Sequence, residues 1–141
     1  MSEQEHIKNI SWVNDDGGRS AAGFVGSARD CVVRAIAIAS RIPYAQVYAD
    51  LARVMGVTPR NGVRTQRIAF KRYMRGLGFR WTPTAGIGQG CTTHLRAGEL
   101  PSVGRLVVSC SRHYVAVVDG VIRDTSDPSR DGTRCVYGYW S

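Results

Sequence analysis

The chain has 141 residues, of which 43% are hydrophobic, and its 19 Lys and Arg residues against 11 Asp and Glu residues give a formal net charge of +8. This length favours one compact domain, and the positive charge favours an acidic partner. No apolar segment approaches the roughly 20 residues that span a bilayer, and the first residues, MSEQEHIKNI, have no secretory pattern. We therefore expect a cytoplasmic protein with no membrane partner.

The chain begins with a polar, glycine-rich stretch, which we interpret as an N-terminal extension over residues 1–26 with room for one short strand at ISWV. Residues 27–141 are expected to form a single domain. Its first segment, DCVVRAIAIAS, is apolar apart from Arg34, as in a helix that runs through a core. Ser27 and Asp30 are both suitable N-cap residues, so Cys31 is expected in the first helical turn with either cap.

Two further helices are expected. Apolar residues recur at helical spacing over 44–55, after Pro43 and before Gly56, which are typical start and stop signals. A basic helix is predicted from about Arg64 to Arg75. It carries four positive residues on one stripe, and the pattern is typical of a solvated helix face but also suits a surface for an acidic protein or a nucleic acid: Arg64, Arg67, Lys71 and Arg75.

The last third of the chain has β character. One helical turn is expected at residues 94–97, followed by strands at 105–110, in the hairpin around Asp119-Gly120, and at 134–140. Early helices and a late antiparallel sheet predict an α+β domain.

Asp119-Gly120 separates two β-branched runs, which is the strongest short-range hairpin signal. With a two-residue turn, counting outward makes His113 and Asp124 diagonal neighbours on one face. Such pairs lie about 7–8 Å apart or somewhat less at Cβ, within reach of an imidazole and a carboxylate. The pattern fits a surface ion pair as well as a functional pair.

A cysteine at a helix N-terminus would give the His-Asp pair a chemical role. Free N–H groups and a nearby imidazolium lower a cysteine pKa from about 8.5 to between roughly 3.5 and 7.5. Cys31 is then the candidate nucleophile, His113 the general base, and Asp124 the group that orients the imidazole. The candidate oxyanion donors are Ser27 and the backbone N–H of Cys31.

These motifs resemble the papain-like cysteine peptidases: a cysteine at the start of a buried early helix, a histidine at the head of a later strand and an acid on the next. More narrowly, DCVVRAIAIASRIPYAQVYADL, RHYVAVVDGVIRDT and GTRCVYGYW are similar to a group of small phage and bacterial proteins. That group is related in outline to the double-glycine peptidases that trim bacteriocin leaders. The resemblance implies a papain-like fold, a peptidase or isopeptidase acting on a protein or peptide through a thioester, no cofactor, and a phage setting in a host cytoplasm.

One feature of the papain-like pattern is missing. Those peptidases place a glutamine oxyanion donor five or six residues before the cysteine, where this chain has Gly26 and Val25. Asp30, if ionised, would repel an oxyanion. A fold retained as a binding module without turnover therefore stays an alternative.

A second alternative is a zinc-stabilised structural protein. CTTH and CSRH each place a cysteine and a histidine at the spacing of half a tetrahedral zinc site. The ligands would be Cys91, His94, Cys110 and His113. Cys135 is most simply a small core residue, and packing against the sheet is the simplest role for Trp81 and Trp140, although either could line a groove.

Overall fold

The computed structural model describes residues 9–86 and 88–141. The first eight residues of the predicted extension therefore lie outside the described residues. Three α-helices and a six-stranded mixed sheet confirm the α+β class. In chain order the elements are β1 (Ser11–Asn14), α1 (Cys31–Ser40), α2 (Tyr44–Met55), a 3-10 helix (Pro59–Asn61), α3 (Ile68–Gly76), β2 (Trp81–Pro83), β3 (Arg105–Cys110), β4 (His113–Val118), β5 (Val121–Asp124) and β6 (Val136–Trp140).

The sheet has the strand order β1-β5-β4-β3-β6-β2. The first strand pairs with β5 in parallel, and all other pairs are antiparallel. The strand near the start of the chain thus lies beside β5, and its Trp12 donates from Nε1 to the backbone oxygen of Asp124 at 3.0 Å. The N-terminal segment therefore contacts the strand that ends at Asp124.

The hairpin between β4 and β5 has the predicted two-residue turn. Val118 pairs with Val121 and Val117 with Ile122. Asp119 and Gly120 both have positive φ, 48° and 78°, which suits Gly and Asp at a tight hairpin turn. The predicted register is confirmed, and it brings the ends of the two strands together.

Helix α1 packs on one face of the sheet, mainly against β4. Seven of its ten residues are buried, as the apolar sequence predicts. They join α2, α3 and the inward side chains of the sheet in one apolar cluster. A second cluster lies around β3, β4 and β5 and includes Leu95 from the preceding connection. The sheet therefore lies between two apolar clusters, and its β4 strand lies next to α1, the helix that begins at Cys31.

Two sequence predictions about helices are wrong. Helix α3 begins at Ile68, because Arg67 has an extended backbone (φ −69°, ψ 144°) and is the N-cap. Arg64 lies in the turn before it, where its carbonyl accepts from the N–H of Arg67 at 3.2 Å. Residues 94–97 form no helical turn, since His94 makes an isolated β-bridge with Cys135 instead.

The α2 prediction is confirmed in its bounds, with Gly56 as a left-handed C-cap at φ 73°. None of the helices formed by residues 9–86 and 88–141 is long and apolar enough to cross a bilayer.

Candidate active site

Cys31 is the first residue of α1 and is partly exposed. Asp30 is the N-cap residue, which is one of the two caps that the sequence allows. Although aspartate caps helices well, the Asp30 side chain makes no capping hydrogen bond. The first-turn N–H groups, which have no partner within the helix, are therefore not satisfied by their own cap residue.

His113 is the first residue of β4 and follows a tight turn at Ser111 and Arg112. Cys110 pairs with His113 across this turn, and Arg112 takes a positive φ of 56°. Arg134 fixes the turn from the neighbouring segment, because its Nε and Nη2 donate to the Ser111 carbonyl at 2.9 and 2.6 Å. The imidazole is thus held at the end of a strand by a braced turn.

His113 and Asp124 form the predicted pair, with 2.6 Å between Nε2 and Oδ2. The sequence also fitted a surface ion pair, but the Asp124 side chain is only 4% exposed. Its Oδ1 accepts from the backbone N–H of Thr125 at 2.8 Å. Because Nε2 is used for Asp124, Nδ1 is the ring nitrogen left to face the thiol.

Arg34 connects the helix to this pair. Its Nη1 donates to Oδ1 of Asp124 and, at 3.1 Å, to Oγ1 of Thr125. Its Nε donates to Oδ1 of Asp30 at 3.0 Å. One guanidinium, 13% exposed, therefore joins two carboxylates that are each 4% exposed.

Asp30 has two further partners besides Arg34. The Tyr44 hydroxyl donates to its Oδ2 at 2.7 Å, and Nε of Arg19 lies 3.2 Å from the same oxygen. The expectation that this carboxylate would repel an oxyanion did not include these partners. Its charge is shared by two arginines and a hydroxyl.

The pKa values of the three residues are coupled. Burial opposes ionisation of the Cys31 thiol, but a hydrogen bond from His113 and the charge of that imidazole lower its pKa below the ordinary value. Burial also opposes protonation of His113, yet hydrogen bonds to Asp124 and Cys31 raise its pKa to about 9. The pKa of Asp124 is lowered, against its burial, by His113 and Arg34. These directions favour a thiolate-imidazolium pair beside an ionised carboxylate.

The two proposed oxyanion donors differ in their placement. The Cys31 N–H lies at the helix N-terminus, where an anion is favoured. Ser27 is exposed, and its carbonyl accepts from Nη2 of Arg60 at 3.0 Å. Within residues 9–86 and 88–141, no hydrogen bond joins Ser27 to Cys31 or His113.

The other cysteines are not arranged as the sequence suggested. Cys91 and Cys135 form a disulfide, so the interpretation of Cys135 as a free core residue is wrong. Cys110 is buried, and burial raises its pKa to about 12. The described residues contain no group of three or more His, Cys, Asp or Glu side chains that suits a metal ion. The four predicted zinc ligands are not brought together.

His94, the remaining zinc candidate, lies with its Nδ1 3.2 Å from Oε1 of Glu99. The predicted four-residue zinc site is therefore not formed. Cys91 is in a disulfide and Cys110 is buried. His94 and His113 are each paired with a carboxylate.

The predicted basic stripe is divided between two cavities. Arg64 and Arg67 line a groove of about 830 Å³ between α2 and the start of α3. Lys71 and Arg75 line a separate pocket of about 380 Å³ that has aromatic walls. Arg64 lies outside the helix, because α3 begins at Ile68.

Sequence reasoning missed two residues that position the site. Arg34 was visible as the single charge in an apolar helix, and that isolation was the available signal. Arg134 gave no signal, because its bonds to the Ser111 carbonyl depend on how β6 lies beside β3.

Comparison of the chain with known protein families, with curated proteins and with solved structures found no match.

Proposed function

We propose that this protein is a cysteine-dependent hydrolase of the papain-like type, a peptidase or isopeptidase that acts on a protein or peptide. The observation that carries the proposal is the alignment of Cys31, His113 and Asp124 at the junction of α1 with the sheet. The order of these residues along the chain and their places on a helix start, a strand start and the next strand are similar to the papain-like arrangement.

The reaction follows from the charges at this junction. The Cys31 thiolate attacks the carbonyl carbon of the amide, and the developing oxyanion lies near the first-turn N–H groups of α1. As the C–N bond breaks, the His113 imidazolium gives its proton to the leaving amine, which leaves a thioester on Cys31. His113 then removes a proton from water, and the hydroxide attacks the thioester. The acid product leaves, and the Cys31 thiolate and the His113 imidazolium are regenerated.

Asp124 acts through His113. A carboxylate on Nε2 fixes the ring so that Nδ1 faces the sulfur, and it stabilises the imidazolium. Arg34 and the Thr125 N–H hold the carboxylate in place. No step requires a metal or a cofactor.

The proposed location is the cytoplasm, in a phage-infected host if the chain is phage-encoded. Disulfides are rare in that compartment, so this location requires that the fold and the active site tolerate a reduced Cys91-Cys135 pair.

The test is cleavage of a mixed peptide library by the wild type, Cys31→Ala and Cys110→Ala, with an acid-quenched sample for intact mass. We expect cleavage by the wild type and by Cys110→Ala, none by Cys31→Ala, and a hydroxylamine-sensitive adduct on Cys31. Cleavage that survives Cys31→Ala would refute the proposal.

A further inference from the structure

A pocket of about 380 Å³ lies between α3 and the sheet, on the same face as α1. Its volume is within the range of small-ligand sites. Thr65, Gln66 and Ser109 line part of it, and two basic and four aromatic side chains line the rest. These six residues are Lys71, Arg75, Trp81, Tyr114, Tyr137 and Trp140, and we refer to the cavity as the aromatic-basic pocket.

The positive charges of the pocket are not neutralised within the described part of the chain. Lys71 and Arg75 are one helical turn apart on α3, and neither takes part in an ion pair there. By contrast, Arg34 and Arg96 are both paired with carboxylates. Two unpaired cations at one opening favour an anionic ligand.

Trp140 lines the pocket and carries a donor that has no partner among the described residues. Trp140 is 3% exposed, and its buried Nε1 has no hydrogen-bond partner among the described residues. Buried indole N–H groups usually have an acceptor.

The position of the Trp81 ring on the pocket wall depends on a glycine in β6. A Cβ atom at Gly138 would overlap the ring of Trp81, so only glycine lets this indole lie against β6. Trp81 and Tyr137 remain 41% and 47% exposed. These rings form a wall that is open to solvent and accessible to a chain segment.

Tyr114 brings the aromatic-basic pocket close to the candidate active site, because it lines the pocket and its backbone N–H donates to the Cys31 sulfur. This residue follows His113 in β4, its ring packs edge-on against Phe70 of α3 with 6.1 Å between centroids, and it lines the pocket. A peptide whose scissile bond lies at Cys31 and His113 therefore passes the opening of the pocket within a few residues.

We infer that the aromatic-basic pocket binds an acidic side chain of the peptide substrate, near the scissile bond, and so gives the hydrolase a preference for aspartate or glutamate at one position. This inference rests on the proposed function. Lys71 and Arg75 supply the charge, and the aromatic walls contact the aliphatic part of the side chain and the adjacent backbone.

The first experiment digests a proteome-derived peptide library and reads the cleavage sites by mass spectrometry. We expect aspartate and glutamate to be enriched at one fixed position. The best peptide is then compared with its amide twin, in which the acidic residue is replaced by glutamine or asparagine. For the wild type, kcat/KM should be about ten- to a hundredfold higher for the acidic peptide, the effect of a charge-assisted hydrogen bond.

The matched variants separate the pocket from general charge. Lys71→Gln/Arg75→Gln should reduce that preference to near unity, because the kcat/KM for the acidic peptide falls toward that for its amide twin. Arg72→Gln/Arg80→Gln removes two exposed positive charges from outside the pocket and should keep the preference. Loss of the preference in both variants would overturn the inference.

A second readout does not require turnover. Trp81 and Trp140 lie on the pocket, so their fluorescence in Cys31→Ala should change on titration with a pentaglutamate peptide, and not with pentaglutamine or in the Lys71→Gln/Arg75→Gln background. An oligothymidine that gives the change when pentaglutamate does not would assign the pocket to single-stranded nucleic acid and overturn the inference.

The two proposals fail differently. Cleavage without any acidic preference would overturn this inference and leave the hydrolase standing. Absence of cleavage, with Cys31 no more reactive toward an alkylating reagent than in His113→Ala, would overturn both.

Discussion

Arg34 forms ion pairs with two buried carboxylates at once. Asp30 and Asp124 have side chains that are 4% exposed, and this guanidinium bonds to both. Removing one partner of a buried pair leaves an uncompensated charge, which costs far more than losing an exposed pair. Arg34 therefore supports both the start of α1 and the group that orients His113.

We expect Arg34→Met to lower the free energy of unfolding by about 3–5 kcal/mol, as for other broken buried pairs. The matched control is Arg53→Met, whose side chain is 72% exposed and lies 3.6 Å from Asp50. That exposed pair should contribute about 0–1 kcal/mol. Urea denaturation of the three proteins measures the difference. An equal loss of unfolding free energy in the two variants would show that the ion pairs of Arg34 stabilise the protein no more than an exposed pair does.

The coupled ionisation of Cys31 and His113 predicts a bell-shaped pH profile for kcat/KM. On the acid side, activity falls as the thiolate is protonated, and this limb lies below the ordinary thiol range because the Cys31 pKa is lowered. On the alkaline side, activity falls as the imidazolium that protonates the leaving amine is lost, near the His113 pKa of about 9.

Asp124→Asn removes the carboxylate that raises the His113 pKa, so the alkaline limb should move to lower pH. The measurement is the profile of both proteins on one fluorogenic peptide. An alkaline limb that does not move would show that Asp124 does not act on His113.

At the scale of elements, the β4-β5 hairpin could be predicted in detail. Asp119-Gly120 fixes the turn, the turn fixes the register, and the register brings His113 to Asp124. These are local constraints that a sequence displays. The start of α3 could not be predicted in the same way, because basic residues favour a helix without marking its first turn, and Arg64 lies in a turn instead.

The Cys91-Cys135 disulfide depends on tertiary structure. The two residues are 44 positions apart and meet only because the connection before β3 packs beside the segment that enters β6. The CTTH motif at Cys91 suggested zinc because half of a zinc site is recognised from the spacing of neighbouring residues alone. A partner supplied by another strand leaves no local signal.

Closure of a 44-residue separation predicts that the disulfide stabilises the protein by about 4 kcal/mol on the chain-entropy account. Cys91→Ser/Cys135→Ser should therefore melt at a lower temperature than the oxidised wild type and match the wild type under reductant. The labelling rate of Cys31 should be the same in both proteins, because the triad bonds do not involve the disulfide. Slower labelling of Cys31 in the variant would contradict the independence of the triad from the disulfide. Equal melting temperatures of the variant and the untreated wild type would show that the pair is not oxidised.

At the scale of the whole molecule, the sheet separates two apolar clusters, and the candidate active site lies where the start of α1 meets the start of β4 and the end of β5. The α+β class, the buried helix and the three site residues followed from patterns in the sequence. The ion network of Arg34, the support from Arg134 and the aromatic-basic pocket did not, because each joins residues from distant elements. A sequence shows periodicity and local turns directly. Buried ion pairs such as those of Arg34 become visible only when the helices and the sheet are packed together.

The central claim is that His113 activates Cys31, and labelling with a stoichiometric thiol-reactive epoxide at about pH 6 tests it most directly, because an ordinary thiol with a pKa of about 8.5 is almost fully protonated there. Peptide mapping should show rapid, selective modification of Cys31 in the wild type, none of buried Cys110, and a loss of at least about tenfold in His113→Ala if the pKa of Cys31 rises by about one unit or more. Slow labelling of Cys31 that is the same with and without His113 would contradict the account.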